Sequence, residues 1–245
     1  MGREHGAFMH RCHVLATPML TSLPSPAPAR PAPLSLIELR SYRTRRGRRE
    51  ELIAMFEAHF LDAYEAAGAT IVATFRHRAD ADRWVWIRAF TDAASRESAL
   101  HSFYGGATWK RLANACNATI ADVSDAWLLQ PLDAAGLQWP PAMPDAGAGA
   151  GATPPSPWTA VLLPTAAGDA AIAAAHWRAA DPASLALVTA DGIPPHPQRR
   201  LRAGHWMVAF VRGAAPVHVP AGADALRLGD AAIWPLDPTP RSALR

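Results

Sequence analysis

From Leu36 to Arg43 the side chains alternate, with Ile37, Leu39 and Ser41 in one set and Leu36, Glu38, Arg40 and Tyr42 in the other. Successive residues of a strand face opposite ways, so this spacing predicts a strand with one apolar face. Its other face carries an acid, a base and a phenol. Gly47 closes the charged turn that follows. A helix is then predicted from about Arg48 to Ala67, because Leu52, Met55, Phe56, His59, Phe60 and Ala63 recur at spacings of three and four. Gly68 stops it, as a glycine after a helix commonly does. Strands follow over residues 69–78 and 83–90, joined as a hairpin through Ala79-Asp80-Ala81-Asp82. In the second of these, Val85, Ile87 and Ala89 alternate with Trp84, Trp86 and Arg88, which gives another bulky, partly polar face. Residues 95–121 read as helix broken at Gly105-Gly106, and a last strand covers about 124–132.

The order is β-α-β-β-α-β, the ferredoxin-like arrangement, which puts its helices on one side of the sheet. The other side needs a cover, since two tryptophans are costly to leave in water. Residues 134–157 are rich in Pro, Ala and Gly and read as a linker. The pattern then restarts: a strand over 158–163, a helix over 166–179, and strands over 184–190, 205–212 and 230–236. Residues echo as well as order. Asp125-Ala126-Trp127 leading to Pro131-Leu132-Asp133 returns as Asp230-Ala231, Trp234 and Pro235-Leu236-Asp237. Arg83-Trp84-Val85-Trp86 returns as His205-Trp206-Met207-Val208. The expectation is an α+β chain of two tandem ferredoxin-like units, at 34–133 and 158–238, the second degenerate and short of most of its second helix. Residues 1–33 are proline-rich and expected to be disordered, and 239–245 are expected to be a tail.

Half of the residues are hydrophobic and 18% are charged, so most of the chain should fold. Residues 34–133 carry 13 basic and 13 acidic side chains, which argues against a nucleic-acid partner. The one basic cluster, Arg40 to Arg49, is followed at once by Glu50 and Glu51 and reads as a solvated turn. No window is apolar enough for a membrane span, and Cys12 and Cys116 lie too far apart to suggest a disulfide framework, so a cytoplasmic location is expected. His10, Cys12 and His13 lack a further ligand at a recognised spacing, and no metal site or cofactor is expected. The glycines at 147–151 have no strand before them and no lysine after them, so they do not form a phosphate loop.

Ile37-Glu38-Leu39-Arg40-Ser41-Tyr42, the charged turn with Gly47, Phe56-Glu57-Ala58-His59-Phe60 and the Trp-rich third strand together resemble the NIPSNAP family of dimeric α/β-barrel proteins. The resemblance covers about residues 36–132. It implies that two ferredoxin-like units pack sheet to sheet, here within one chain as a pseudo-dimer. The resemblance implies a ligand cavity between each sheet and its helices or within the barrel. With the second half packed on the first, the face with Glu38, Arg40, Tyr42, Trp84, Trp86 and Arg88 is expected to turn to the shared interior. A buried carboxylate needs a partner, so Glu38 is expected to bond Arg40, Arg88 or Arg76.

Related barrels imply two readings. One is a cofactor-independent monooxygenase or isomerase acting on a small aromatic or apolar, anionic molecule. Glu38 or His59 would then be the base, and Arg40, Tyr42, Arg76, Trp84, Trp86 and Arg88 would hold the substrate. His101 and Tyr104 are weaker candidates. The other reading is a non-catalytic binding or scaffold protein of the same fold. A small-molecule ligand, an intrachain pseudo-dimer and further self-association are the partners these readings allow. His59 within an apolar stripe is also what an ordinary core histidine looks like.

Overall fold

The computed structural model describes residues 33–132, 156–193, 201–214 and 216–244. The expected N-terminal tail, its His10, Cys12 and His13, and nearly all of the expected linker lie outside the described residues. The elements run β1 (Leu36–Thr44), α1 (Arg49–Met55), a π-helical turn (Phe56–Phe60), α2 (Leu61–Ala66), β2 (Thr70–His77), β3 (Arg83–Phe90), α3 (Ala93–Gly105), α4 (Ala107–Thr119) and β4 (Ile120–Pro131). After them come β5 (Trp158–Thr165), α5 (Asp169–Ala180), β6 (Leu185–Thr189), β7 (His205–Arg212), α6 (Ala221–Asp224) and β8 (Ala232–Pro238). Where the sequence left little room for a second helix in the second half, the described residues form only the short α6.

The eight strands close into one barrel in the order β1-β3-β2-β8-β5-β7-β6-β4. Within it the first half contributes β4-β1-β3-β2 and the second β8-β5-β7-β6, the same order in both. The halves do not stack sheet on sheet, the packing that the family resemblance implied. They join edge to edge, with Phe75 to His77 of β2 paired with β8 and Leu129 to Pro131 of β4 paired with β6, both antiparallel. Edge pairing satisfies the backbone groups that stacked sheets would leave open at four edges.

Alternation along closed strands yields three apolar layers. The barrel interior takes side chains from all eight strands, among them Ile37, Leu39, Phe75, Val85, Ile87, Trp127, Leu129, Trp158, Leu187, Phe210 and Trp234. A second layer lies outside the barrel wall, between the first half's sheet and its helices. It contains Leu36, Tyr42, Trp84, Trp86 and Phe90 from the strands and Leu52, Phe56, Phe60, Tyr64, Leu100 and Phe103 from the helices. The third, under α5, is built from Val161, Leu163, Ala174, Trp177, Ala186, Met207 and Ala209.

This corrects where the polar face goes. Glu38, Arg40, Tyr42, Trp84, Trp86 and Arg88 are all buried, but beneath the helices of their own half rather than in the interior shared by both. The residue echoes also divide. Trp127 and Trp234 share the interior and touch, their ring centroids 5.5 Å apart. Trp84 lies under the helices while Trp206 packs against the interior, so that pair is not structurally equivalent.

The first helical segment departs from its predicted phase for a definite reason. At Leu61 the backbone N–H reaches back five residues to the carbonyl of Phe56, the mark of a π turn, which adds one residue to the helix. The buried stripe becomes Leu52, Ile53, Phe56, Phe60, Leu61 and Tyr64, and His59 is turned out to solvent.

Candidate functional site

Strand register sets up the charged centre of the first half. Glu38 of β1 is the cross-strand partner of Arg88 of β3, and Arg40 lies two residues on, on the same face. Arg40 Nη1 donates to Glu38 Oε1 at 2.5 Å, and Arg88 Nη2 donates to the same oxygen at 2.9 Å. Arg88 Nε and Nη2 also donate to Glu38 Oε2, at 3.2 and 3.0 Å. A third guanidinium comes from α3: Arg96 Nε donates to Glu38 Oε2 at 3.2 Å. Exposure is 0% for Glu38 and Arg88, 1% for Arg40 and 3% for Arg96, so bulk water neutralises none of this charge.

Burial by itself would raise the Glu38 pKa, but the charges of Arg88, Arg40 and Arg96 overcome it and hold the carboxyl well below the usual range. The group is ionised and saturated with donors, which makes it a poor proton acceptor. Three guanidinium groups face one carboxylate. Within that excess, Arg88 Nη1 and Arg96 Nη2 are buried with no hydrogen-bond partner among the described residues, as are the indole N–H groups of Trp84 and Trp86.

Aromatic rings surround the charges. Trp84 and Trp86 lie nearly parallel, 12° apart with centroids 5.6 Å apart, and Phe56 of the π turn closes on Trp84 at 4.4 Å. The Arg88 guanidinium sits 4.9 Å from the Tyr64 ring centre and 5.0 Å from that of Trp86. Arg40 Nε donates to the Tyr42 hydroxyl at 3.1 Å. Tyr64 and Tyr104 share a hydroxyl contact of 3.0 Å.

Five of the predicted substrate-binding residues therefore meet around Glu38, and Arg76 does not. Its guanidinium pairs with Glu50 at 2.7 Å near the start of α1. His59 and His101 are exposed. Arg96, Tyr64, Phe56 and Phe103 were missed, although one signal for Arg96 was present. It precedes Ala99, Leu100 and Phe103, all buried, by three, four and seven positions, which places it on the inward face of α3. The Asp92–Ser95 capping box fixes where that helix begins.

Among the described residues, the corresponding layer of the second half holds no such charges. Beneath α5 the strands present Val161, Leu163, Ala186, Val188, Met207 and Ala209. Sheets of the same strand order are thus covered once over a charged cluster and once over an apolar one.

A separate buried group lies in the barrel interior. His77 of β2 is opposite Leu236, with its ring 6.2 Å from that of Trp234 and its Nδ1 without a partner among the described residues. Burial, reinforced by the Arg83 charge, pushes its pKa down to about 4. A histidine neutral in the fold takes up a proton more readily when unfolded, so its contribution is intact above pH 6.5 and is lost as the pH falls from there towards 4. The urea midpoint of the wild type should fall through that window, and His77→Gln should flatten the fall. An unchanged slope in the variant would place the loss elsewhere.

Residues 37–132 match the NIPSNAP family model. No curated protein matches the chain. Among solved structures, a candidate monooxygenase from Lactobacillus acidophilus NCFM is similar at 11% identity and a TM-score of 0.52, over 84% of this chain and 94% of that one. An anthrone oxidase-like protein is similar at 12% identity and a TM-score of 0.53, over 84% and 91%. A NIPSNAP family protein of unknown function from Agrobacterium tumefaciens str. C58 aligns at 16% identity over 40% of this chain and 88% of that one, with a TM-score of 0.37. The first two share the α/β-barrel fold across most of the chain. No helix among the described residues is long and apolar enough to cross a membrane.

Proposed function

From the premise that residues 37–132 match the NIPSNAP family, we propose that this half binds a small aromatic anion against Arg88 and Arg96, beneath the roof formed by α1, the π turn and α2. One observation carries the reading: in a cluster closed to bulk water, three guanidinium groups outnumber one carboxylate, and two of their nitrogens have no acceptor among the described residues. Unbalanced buried charge costs several kcal/mol, on the order of what an anion would recover by supplying the missing acceptors. The surroundings favour a flat ring: Tyr64 and Trp86 lie against the Arg88 guanidinium, and Trp84 and Phe56 pack on Trp86. A carboxylate or phenolate on an aromatic body fits both requirements.

The apolar layer of the second half supports a functional role over a scaffolding one. Sheets of this strand order pack under helices without any charge, so the fold does not require the Glu38 cluster. We also read the two halves as a tandem duplication in which the second has kept its packing role. The shared strand order and the Trp127–Trp234 pair support that reading, and the opposite facing of Trp84 and Trp206 weighs against it.

Binding without turnover is the reading we favour. Cofactor-independent oxygen chemistry, suggested by the monooxygenase and anthrone oxidase-like neighbours, would use the same guanidiniums to hold an oxyanion. It would also require a proton acceptor, and Glu38 is poorly suited to that while His59 faces solvent. The test is calorimetric titration with 2-naphthoate, using 2-naphthalenemethanol as the uncharged control. Saturable binding of the acid alone is expected, weakened about tenfold or more in Arg96→Gln, the equivalent of one charge-assisted hydrogen bond. Equal binding of both compounds, or of neither, would overturn the anion reading. Oxygen consumption with a bound phenol would establish the enzyme.

A further inference from the structure

The segment after β8 is more than a tail. Thr239, Ser242 and Leu244 are at most 1% exposed, and Arg241 is 6% exposed. The segment continues along β2 beyond the last β8 pair. Thr239 N donates to the Thr74 carbonyl at 2.9 Å, the Thr239 and Thr74 hydroxyls meet at 2.6 Å, and Thr74 N donates to Ser242 Oγ at 3.2 Å. Leu244 completes the barrel interior. One end of this segment is therefore fixed in the barrel.

Its other contacts go to the helical roof. In a regular helix the N–H of Leu61 would bond the carbonyl of Glu57, but the π turn sends it to Phe56 and leaves the Glu57 carbonyl without that donor. Arg241 takes the vacated place: its Nη1 donates to the Glu57 carbonyl at 2.6 Å, while Nη2 pairs with Asp62 of α2. The Arg241 backbone N–H also donates to Glu57 Oε1 at 3.3 Å. The turn held in this way carries Phe56 and Phe60, and Phe56 packs on Trp84 and Trp86.

We infer that residues 239–244 form a strap, with Arg241 as its latch, that governs opening of the roof over the Glu38–Arg88–Arg96 cluster. Every member of that cluster is buried, so a ligand reaches it only when the roof lifts. A helical segment that contains a π turn and is tied down by a distant arginine is the element placed to move. The ligand half of this inference rests on the proposed function. The strap itself does not.

Two measurements separate them. Hydrogen exchange in Arg241→Gln should be about tenfold faster over residues 56–66 and unchanged in the barrel strands, as for a local opening that has lost one charge-assisted contact. Arg241→Lys keeps a cation near Asp62 but cannot bridge to the Glu57 carbonyl as well, and should fall between the two. Should Arg241→Gln fail to fold, the lysine variant and Asp62→Asn supply the same comparison. Stopped-flow mixing with 2-naphthoate should show faster association in each loosened variant. Unchanged exchange over 56–66, or exchange raised equally through the strands, would overturn the strap. Faster exchange in proteins that do not bind naphthoate would uphold the strap and reject the ligand.

Discussion

Glu38→Gln should lower the unfolding free energy by about 3–5 kcal/mol, the usual cost of removing one partner from a buried ionic cluster. Gln keeps the shape but puts an NH2 donor where one carboxylate oxygen accepts from two or three guanidinium N–H groups, so the loss combines the charge with those acceptor sites. Three guanidiniums at 0–3% exposure would be left without a counterion. Urea denaturation at pH 7 measures the effect directly, and a loss below about 1 kcal/mol would mean that solvent or a neighbour already balances the cluster. The pH dependence provides a second signature. The Glu38 carboxyl titrates lower in the fold than its ordinary 4.5. Its contribution is therefore complete above about pH 4.5 and declines as the pH falls below that, towards the depressed folded value. Wild type should lose its advantage over Glu38→Gln in that acidic range. The His77 effect lies higher, between 6.5 and about 4, so the two can be separated.

The strands were legible in the sequence because alternation is a direct record of two unlike faces. Residues 83–90 were placed to the residue, and β1 to within one at each end. Which face meets what was not legible. Both faces of β1 and β3 are buried, and hydrophobic pattern cannot tell a barrel interior from the underside of a helix. Side-chain size gives no guide either, since the interior holds Trp127, Trp158 and Trp234 while Trp84 and Trp86 lie beneath the helices. Only the charges of Glu38, Arg40 and Arg88 set one face of β1 and β3 apart. His59 was misplaced because a spacing rule assumes a regular helix, and nothing in Phe56-Glu57-Ala58-His59-Phe60 signals an added residue. The pairing of Glu38 with Arg40 and Arg88 followed from the cost of burying charge. Arg96 was overlooked because it sits on a helix predicted only in outline, and Arg76 was drawn away by Glu50, close in space only once α1 is placed.

The apolar layer of the second half leads to the other large effect. If the charged cluster serves a ligand, an apolar set in its place should keep the fold and remove the function. In Glu38→Leu/Arg40→Met/Arg88→Met/Arg96→Leu, side chains of similar length fill the same volume without the desolvation cost. Such replacements of buried ionic networks are commonly neutral, or stabilising by about 1–4 kcal/mol. The contrast with Glu38→Gln is the informative part, because one charge removed should cost several kcal/mol while all four removed should cost nothing. Naphthoate binding should vanish in the quadruple variant. The most direct test is therefore its urea unfolding free energy beside that of the wild type. We predict a value equal to or above the wild type's, whereas a loss of about 3 kcal/mol or more would make the cluster part of the scaffold and contradict a ligand site there.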